Sequence, residues 1–256
     1  MKALCALLVS LPALAATPFD GTWVSKPDAA SFGNVLRIVS LDKGVWSNES
    51  LVPPTKVKAD GTDQPDSGHA SWDTVAAKAV GPDAVQVITK KAGKTTAELL
   101  YTVSADGKTM TWKINDLSGT TPATMEVVFA RVASGPAGSH PVSGSWQPKK
   151  ITESNAANNT VTYRSTPDGL SMSSPTGTGY DAKFDGKDSP VTGDIGGAVV
   201  SLKKVNANTV VETYKRMGKT SDISTMTVAP DGKTMKVDWE ARDSHLKGTM
   251  VLEKAK

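Results

Sequence analysis

One long stretch of the sequence occurs twice, and this duplication constrains the fold more than any other feature. Lys58–Met110 matches Lys183–Met235 without a gap, and both copies end on Asp-Gly-Lys-Thr-Met. A tandem duplication of this size indicates two similar units, each long enough to bury one core. The copies predict a first unit over 17–133, a second over 141–256, and a Gly/Pro-containing linker over 134–140.

The N-terminal segment over 1–16 has the pattern of a secretory signal peptide. Lys2 supplies the positive start, a long apolar run follows, and a small-x-small cleavage site ends at Ala15. Neither this segment nor any other run is long and apolar enough to span a bilayer. Cys5, the only cysteine, lies inside it, so the exported chain would fold without disulfides. We therefore expect an extracytoplasmic protein, either periplasmic or secreted.

The charges of the chain are nearly balanced. The sequence has 29 Lys and Arg against 26 Asp and Glu, and neither half contains a block of like charge. A basic patch for nucleic acid is therefore not indicated, and the charged side chains are typical of solvated faces. We expect no nucleic-acid partner and a monomeric protein.

Hydrophobic residues alternate with polar ones almost everywhere, which is the pattern of half-buried β-strands. Three sets that share a face are Met110, Trp112 and Ile114; Val210, Glu212 and Tyr214; and Met235, Val237 and Trp239. Short turns such as Asp106-Gly107 and Asp231-Gly232 separate the strands, and Asp-Gly supplies the positive φ of tight hairpins.

The strands and turns predict an all-β antiparallel meander, which usually closes because closure removes exposed edges. We expect two tandem antiparallel up-and-down β-barrels, with an all-β sandwich per half as the alternative. A barrel of about eight strands has an interior that is either filled by side chains or holds one small ligand.

Each half opens on Gly-x-Trp, with the tryptophan at Trp23 in the first half and at Trp146 in the second. The glycine lets the first strand turn tightly, and the tryptophan plugs the barrel floor. At these residues the chain resembles the lipocalin and fatty-acid-binding superfamily, the calycins, which implies lipocalin-like barrels. In that family the tryptophan packs against an Arg or Lys of the last strand. The resemblance implies this role for Arg131, and for Lys254 as its counterpart in the second half.

A second similarity lies in the run Asp185–Gly193, which reads Asp-Gly-Lys-Asp-Ser-Pro-Val-Thr-Gly. This run is similar to exported bacterial lipocalin-like repeat proteins. The resemblance extends to the fold, whereas no arginine-tyrosine set for a fatty-acid carboxylate can be transferred to positions of this chain.

Two tryptophans are candidates for ligand binding. Core packing explains most of the six tryptophans, because large aromatic side chains dominate cores. Trp46 and Trp72, however, align with Ser171 and Gly197 when the ungapped match is extended, so the shared core does not require them. They could form a stacking wall for a flat apolar ligand.

The polar residues do not form a recognisable reactive site. Asp60, Asp63 and Asp66 do not have the spacing of an EF-hand loop, and no histidine has a second histidine or a cysteine near it. Asp66, Ser67 and His69 are the residue types of a catalytic triad, but neighbours in a turn cannot adopt the relay geometry. We expect no metal, no cofactor and no catalytic residue.

The sequence favours an exported, non-enzymatic protein that binds a small apolar molecule in a β-barrel. One alternative is a barrel isomerase or cyclase that uses a buried acid and a tyrosine. The tyrosines available are Tyr101, Tyr163, Tyr180 and Tyr214. Another alternative is a structural or interaction module with filled barrels. Interior volume separates the filled module from the others, and a buried Asp or Glu with a raised pKa beside a pocket would favour the enzyme.

Overall fold

The computed structural model describes residues 17–256, and the predicted signal peptide over 1–16 lies outside the described residues. Nearly all of the regular structure is β-strand. The strands are β1 (Gly21–Ser25), β2 (Ser31–Phe32), β3 (Arg37–Asp42), β4 (Val45–Asn48), β5 (Thr55–Lys58), β6 (Gln64–Pro65), β7 (Thr74–Ala79), β8 (Ala84–Lys91), β9 (Lys94–Val103), β10 (Thr109–Asp116), β11 (Ala123–Ser134), β12 (Gly144–Ser154), β13 (Thr160–Ser165), β14 (Gly169–Ser173), β15 (Gly179–Lys183), β16 (Ser189–Pro190), β17 (Val199–Asn206), β18 (Thr209–Arg216), β19 (Lys219–Val228), β20 (Thr234–Ala241) and β21 (Leu246–Lys254). The helices are a 3-10 helix (Pro27–Ala29) and α1 (Ala156–Asn159).

The strands form two antiparallel up-and-down sheets, and each sheet is nearly closed into a barrel of ten strands. The first barrel has the order β5-β4-β3-β12-β11-β10-β9-β8-β7-β6. The second barrel has the order β15-β14-β13-β1-β21-β20-β19-β18-β17-β16, and β2 pairs additionally with β21. The predicted pair of antiparallel barrels is confirmed, and the alternative sandwich does not form.

Alternating side chains of the strands form the core, and Asp-Gly turns connect successive strands. In β8 the side chains of Val85, Val87 and Thr89 are buried, whereas the residues between them are only half-buried. At the β9–β10 turn Gly107 has a φ of 69°, and the side chain of Asp106 accepts a 3.0 Å hydrogen bond from the amide of Lys108. Positive φ favours glycine, which is why Asp-Gly is suited to this turn.

Each predicted unit, 17–133 and 141–256, contributes its first strand to the barrel that the other unit forms. Strand β1 pairs with β13 and β21 of the second barrel, whereas β12 pairs with β11 and β3 of the first. The first barrel is therefore one continuous segment, and the second barrel is completed by the N-terminal strand. Both first strands carry Gly-x-Trp at the same place, so either strand presents the same groups to a barrel.

The exchange also changes which cation packs against which tryptophan. Each tryptophan is covered by a last-strand cation, as the family resemblance implies, but Arg131 covers Trp146 and Lys254 covers Trp23. Both indoles are fully buried, and each Nε1 donates to a carbonyl four residues earlier, at Phe19 (2.7 Å) and Val142 (2.9 Å). Each tryptophan thus belongs to the core of the barrel that its strand enters.

The first barrel is bridged between its edge strands, β5 and β6, by side chains and by loop contacts. The side chain of Gln64 donates to the carbonyl of Lys58 (2.7 Å) and accepts from its amide (2.9 Å). Beyond it, the Gly61 amide donates to the carbonyl of Ala77 on β7 (2.8 Å). These contacts satisfy polar groups that an open edge would expose.

Candidate functional site

A cavity of about 530 Å³ lies inside the first barrel. Its volume is within the range of small-molecule sites, about 300–1,000 Å³. Its wall is formed by inward side chains of the barrel strands and is mostly apolar. The apolar and aromatic residues of the wall include Trp46, Trp72, Val75, Val87, Leu99, Tyr101, Trp112 and Ile114. The cavity is therefore the candidate functional site.

The structure brings both predicted ligand-binding residues, Trp46 and Trp72, to this cavity. The Trp46 indole is buried, and its ring centroid lies 5.1 Å from that of Tyr101. The Trp72 indole is half-buried and stacks on the His69 ring with centroids 4.2 Å apart. These aromatic faces could stack on a flat or elongated apolar ligand.

The pairing register changes the counterpart of Trp46. In the first barrel Leu41 faces Trp46, and at the corresponding place of the second barrel Ser165 faces Leu170. Trp46 therefore corresponds to the fully buried Leu170 and not to Ser171. Both barrels need a large apolar side chain there, so Trp46 is part of the core as well as of the cavity wall.

Arg37, which no sequence motif marked, is a buried cation in the cavity wall. Its side chain is only 3% exposed, and the guanidinium lies 4.5 Å from the ring centroid of Trp112. Nε has no hydrogen-bond partner, and no carboxylate among residues 17–256 lies within 4.0 Å of the guanidinium nitrogens, although Asp243 of the same cavity acts on the cation from a greater distance. Burial lowers the pKa of Arg37, but an arginine remains charged at neutral pH. An unpaired buried charge is costly, so the site is suited to an anion.

Register shows that the barrel fold does not require an arginine at this place. Arg37 faces Trp146 across β3 and β12, and Val161 faces Trp23 at the equivalent place of the second barrel. A signal was present in the sequence, because Arg37 shares the inward face of β3 with Val39 and Leu41. A lone arginine on an apolar strand face could have identified it.

The mouth of this cavity lies against the second barrel. Residues of that barrel that line the mouth include Asp194, Ile195, Arg216 and Asp243. The Val52 amide donates to the carbonyl of Asp243 (2.8 Å), which fixes the two barrels to each other beside the cavity. Arg216 binds Asp194 (2.8 Å) and Asp222 (2.9 Å), so its charge is already paired. The free cation of the site is therefore Arg37, within the part of the chain that the structure describes.

Asp66, His69 and Trp72 form a polar corner of the wall. The Asp66 carboxylate accepts from the Thr55 hydroxyl (2.7 Å) and from the Trp72 indole (2.9 Å), and lies 3.6 Å from Nε2 of His69. Burial lowers the pKa of His69, and the nearby Asp66 partly offsets this. The corner holds Trp72 in position, and it contains a neutral imidazole at neutral pH.

The other polar residues named from the sequence are separated in the structure. Asp60 accepts from Thr62, and Asp63 binds Lys90 (2.6 Å). His140 in the predicted linker contacts the carbonyl of Gly81 through Nε2 (3.2 Å) and accepts from the amide of Val142. Within residues 17–256 no group of three or more His, Cys, Asp or Glu is placed to hold a metal ion.

The tyrosines divide between the two barrels. Tyr101 lines the first cavity, whereas Tyr163, Tyr180 and Tyr214 surround the buried Glu212 in the second barrel. Burial raises the pKa of Glu212, and the three tyrosine hydroxyls lower it in part. No motif predicted Glu212 as a site residue, although the alternation places it on one face with Val210 and Tyr214.

No helix in the described range 17–256 is long and apolar enough to cross a membrane. The two nearly closed antiparallel barrels fit a calycin-like fold. Comparison of the chain with protein-family models and with curated protein sequences found no match.

Proposed function

We propose that the chain is an exported, non-enzymatic binding protein whose first barrel holds a small, largely apolar molecule with one anionic group. The observation that carries this proposal is Arg37, a buried and unpaired cation in the wall of a cavity of about 530 Å³. The apolar body of the ligand would lie against Trp46 and Trp72, and its carboxylate or other anion would accept from Arg37.

The energetics favour an anion over a neutral group at this place. A hydrogen bond to a charged group contributes about 1.5–3 kcal/mol, roughly twice a neutral one. Arg37 already incurs the cost of burial in the free protein, so an anionic ligand would remove part of that cost. A neutral ligand of the same shape would gain only the apolar contacts of the wall.

Export and family membership belong to this proposal. The signal-peptide pattern over 1–16 supports a periplasmic or secreted protein, and the chain beyond it contains no cysteine. The duplicated Gly-x-Trp strands and the cations that cover Trp23 and Trp146 support tandem lipocalin-like barrels. The ligand would then be a small apolar molecule outside the cytoplasm.

The test compares ligands of one length that differ only in their head group. Decanoate, decanol and decylamine are titrated into the protein while tryptophan emission is followed. We expect decanoate to bind most tightly. Arg37→Met should weaken decanoate by about tenfold or more and leave decanol unchanged. Arg164→Met, which removes an exposed arginine of β13, is the matched control and should change neither.

Two results would contradict the proposal. A flat emission response to all three compounds and to flat aromatic compounds would argue against a binding function of this cavity. Equal affinity for decanoate and decanol, unchanged by Arg37→Met, would support an apolar ligand but contradict the proposed anionic group.

Intact-mass measurement of the exported protein tests signal-peptide cleavage separately, since a mass that retains 1–15 would contradict cleavage.

A barrel enzyme is the second candidate, and Glu212 favours it. A carboxylate with a raised pKa can take a proton from carbon, and a tyrosine hydroxyl can stabilise the oxyanion that forms. Chemical change of an added ligand, or its exchange of carbon-bound hydrogen in deuterium oxide, would support this candidate. The cavities of about 530 and 280 Å³ argue against the filled-barrel module.

A further inference from the structure

A second cavity, with a volume of about 280 Å³, lies in the second barrel and is open towards Met125 and Ile151 of the first barrel. This volume is slightly below the usual range for drug-sized ligands, so it suits a smaller molecule. Four methionines of the barrel line the cavity: Met172, Met226, Met235 and Met250. Thioether side chains are flexible and polarisable, and they adapt to ligands of irregular shape.

The polar group of this cavity is Glu212, which lines it together with Tyr163 and Tyr214. Oε1 of Glu212 accepts from the hydroxyls of Tyr163 (3.3 Å) and Tyr180, and Oε2 accepts from Tyr214 at 3.4 Å. An ionised carboxylate only accepts and can take about four hydrogen bonds. Oε2, with one long hydrogen bond, therefore has capacity for another donor.

No cation of the described chain neutralises this carboxylate. Glu212 is 4% exposed, and neither a salt bridge nor a nearby Lys, Arg or His acts on it within residues 17–256. Lys26 also lines the cavity, but its side chain is 44% exposed and its ammonium group binds Glu253 at 2.9 Å. The interior thus contains one acid, Glu212, which accepts hydrogen bonds from tyrosine hydroxyls and is not paired with a cation.

The barrel fold does not demand this polar set, because the first barrel does without it. At the corresponding strand positions the first barrel has Val87 for Glu212, Val39 for Tyr163, Thr55 for Tyr180 and Thr89 for Tyr214. Conversely, the second barrel has Val161 where the first has Arg37. Each barrel therefore contains one buried ionisable side chain, basic in the first and acidic in the second, at a position where its duplicate is aliphatic.

We propose that the second barrel binds a small primary ammonium compound, with the ammonium group donating to Glu212 and the hydrocarbon part lying among the methionines. The ammonium ion would occupy the free capacity of Oε2 and supply the missing countercharge. Tyr214, whose ring lies 6.5 Å from that of Tyr180, would offer an aromatic face to the cation. This inference concerns the second barrel and does not depend on the function proposed for the first.

The experiment measures binding of hexylamine, hexanol and hexanoate to the full chain by calorimetry, with phenethylamine as an aromatic amine. With the first barrel saturated by decanoate, we expect both amines to bind the second barrel, with hexylamine at least about tenfold tighter than hexanol and hexanoate weakest. Glu212→Gln keeps the volume of the side chain and removes its charge, so it should lose this preference. Glu240→Gln changes an exposed acid of β20 and is the matched control, which should keep it.

Methionine methyl resonances of the wild-type protein locate the amine even if Glu212→Gln does not fold. Hexylamine should shift the resonances of Met172, Met226 and Met250, and leave that of Met110 in the first-barrel core unchanged. Three outcomes would overturn the inference: no amine binding, equal affinity for hexylamine and hexanol, or shifts confined to the first barrel. Decanoate binding to the first barrel is measured independently, so failure of one proposal is distinguishable from failure of the other.

Discussion

The guanidinium carbon of Arg131 lies 4.0 Å from the ring centroid of Trp146, and the Lys254 ammonium makes the equivalent contact with Trp23 at 5.0 Å. Arg131 also donates to the carbonyls of Gly107 (2.5 Å), Ser143 (2.9 Å) and Pro141 (2.6 Å). These contacts tie the incoming first strand to the last strand of the barrel that it enters. They make each tryptophan a structural residue of a barrel built mainly from the other half of the chain.

The exchange predicts which barrel each tryptophan stabilises. Truncation of a buried tryptophan to alanine typically costs about 3–5 kcal/mol. Trp146→Ala should therefore loosen the first barrel, and Trp23→Ala should loosen the second. Strand-resolved amide hydrogen exchange measures both effects in the intact chain. Faster exchange in β8 and β9 after Trp23→Ala, with β18 and β19 unaffected, would show that the first strands are not exchanged.

The continuous first barrel should fold as an isolated fragment. Residues 34–156 contain all ten of its strands, including β12 with Trp146. We expect this fragment to unfold cooperatively in thermal circular dichroism. The fragment 34–140 lacks β12 and is the control, which should be much less stable. Equal stability of the two fragments would show that β12 is not needed for the first barrel.

The two cavity tryptophans should differ in their effect on stability. Trp46 occupies a place that is filled by Leu170 in the duplicate, so Trp46→Ala should cost about 3–5 kcal/mol. Trp72 is half-buried and aligns with Gly197, so Trp72→Ala should cost distinctly less. Chemical denaturation followed by circular dichroism compares the variants. A larger loss for Trp72→Ala would make the Asp66–His69–Trp72 corner, and not Trp46, the more important part of the wall.

His69 predicts a dependence of stability on pH. Burial lowers its pKa below the ordinary value of 6.5, so the unfolded chain takes up the proton at a higher pH than the folded chain. Stability should therefore rise with pH between the folded pKa and about 6.5, and be fully present above that value. The difference in Tm between wild type and His69→Gln, measured on both sides of this window, isolates the effect. A difference that does not change with pH would mean that His69 titrates alike in both states.

Much of the fold was predictable because alternation and Asp-Gly turns report local structure directly. The strands with which β1 and β12 pair were not predictable, because Trp23 and Trp146 belong to the same Gly-x-Trp motif and occupy equivalent positions in the two barrels. Backbone pairing of β1 with β13 and β21 depends on distant strands, and no local pattern distinguishes it from pairing within its own half. The sequence thus predicted where the strands lie better than it predicted which strands pair.

The candidate site was predictable in part. Trp72 could be selected because the duplication has glycine in its place, whereas Trp46 was selected on an alignment with Ser171 that the strand register replaces with Leu170. Arg37 lies before the ungapped match, so no counterpart was available to expose it. Glu212 lies inside the match and aligns with Val87. A charged residue on an alternating strand is normally assigned to the solvent-facing side, and the neighbouring strands are needed to show that it is buried.

The exchanged first strand has a consequence for the timing of folding during synthesis. Strand β1 emerges before every strand that it pairs with, and its last partner, β21, emerges more than 200 residues later. Until β12 emerges, the place beside β3 and β11 is open, and β1 carries the groups that fit it. Occupation of that place by Trp23 would leave Trp146 to complete the other barrel, giving two barrels of similar appearance but different connectivity. Emergence of Trp146 is therefore the step at which β12 can first compete with β1 for the place beside β3 and β11.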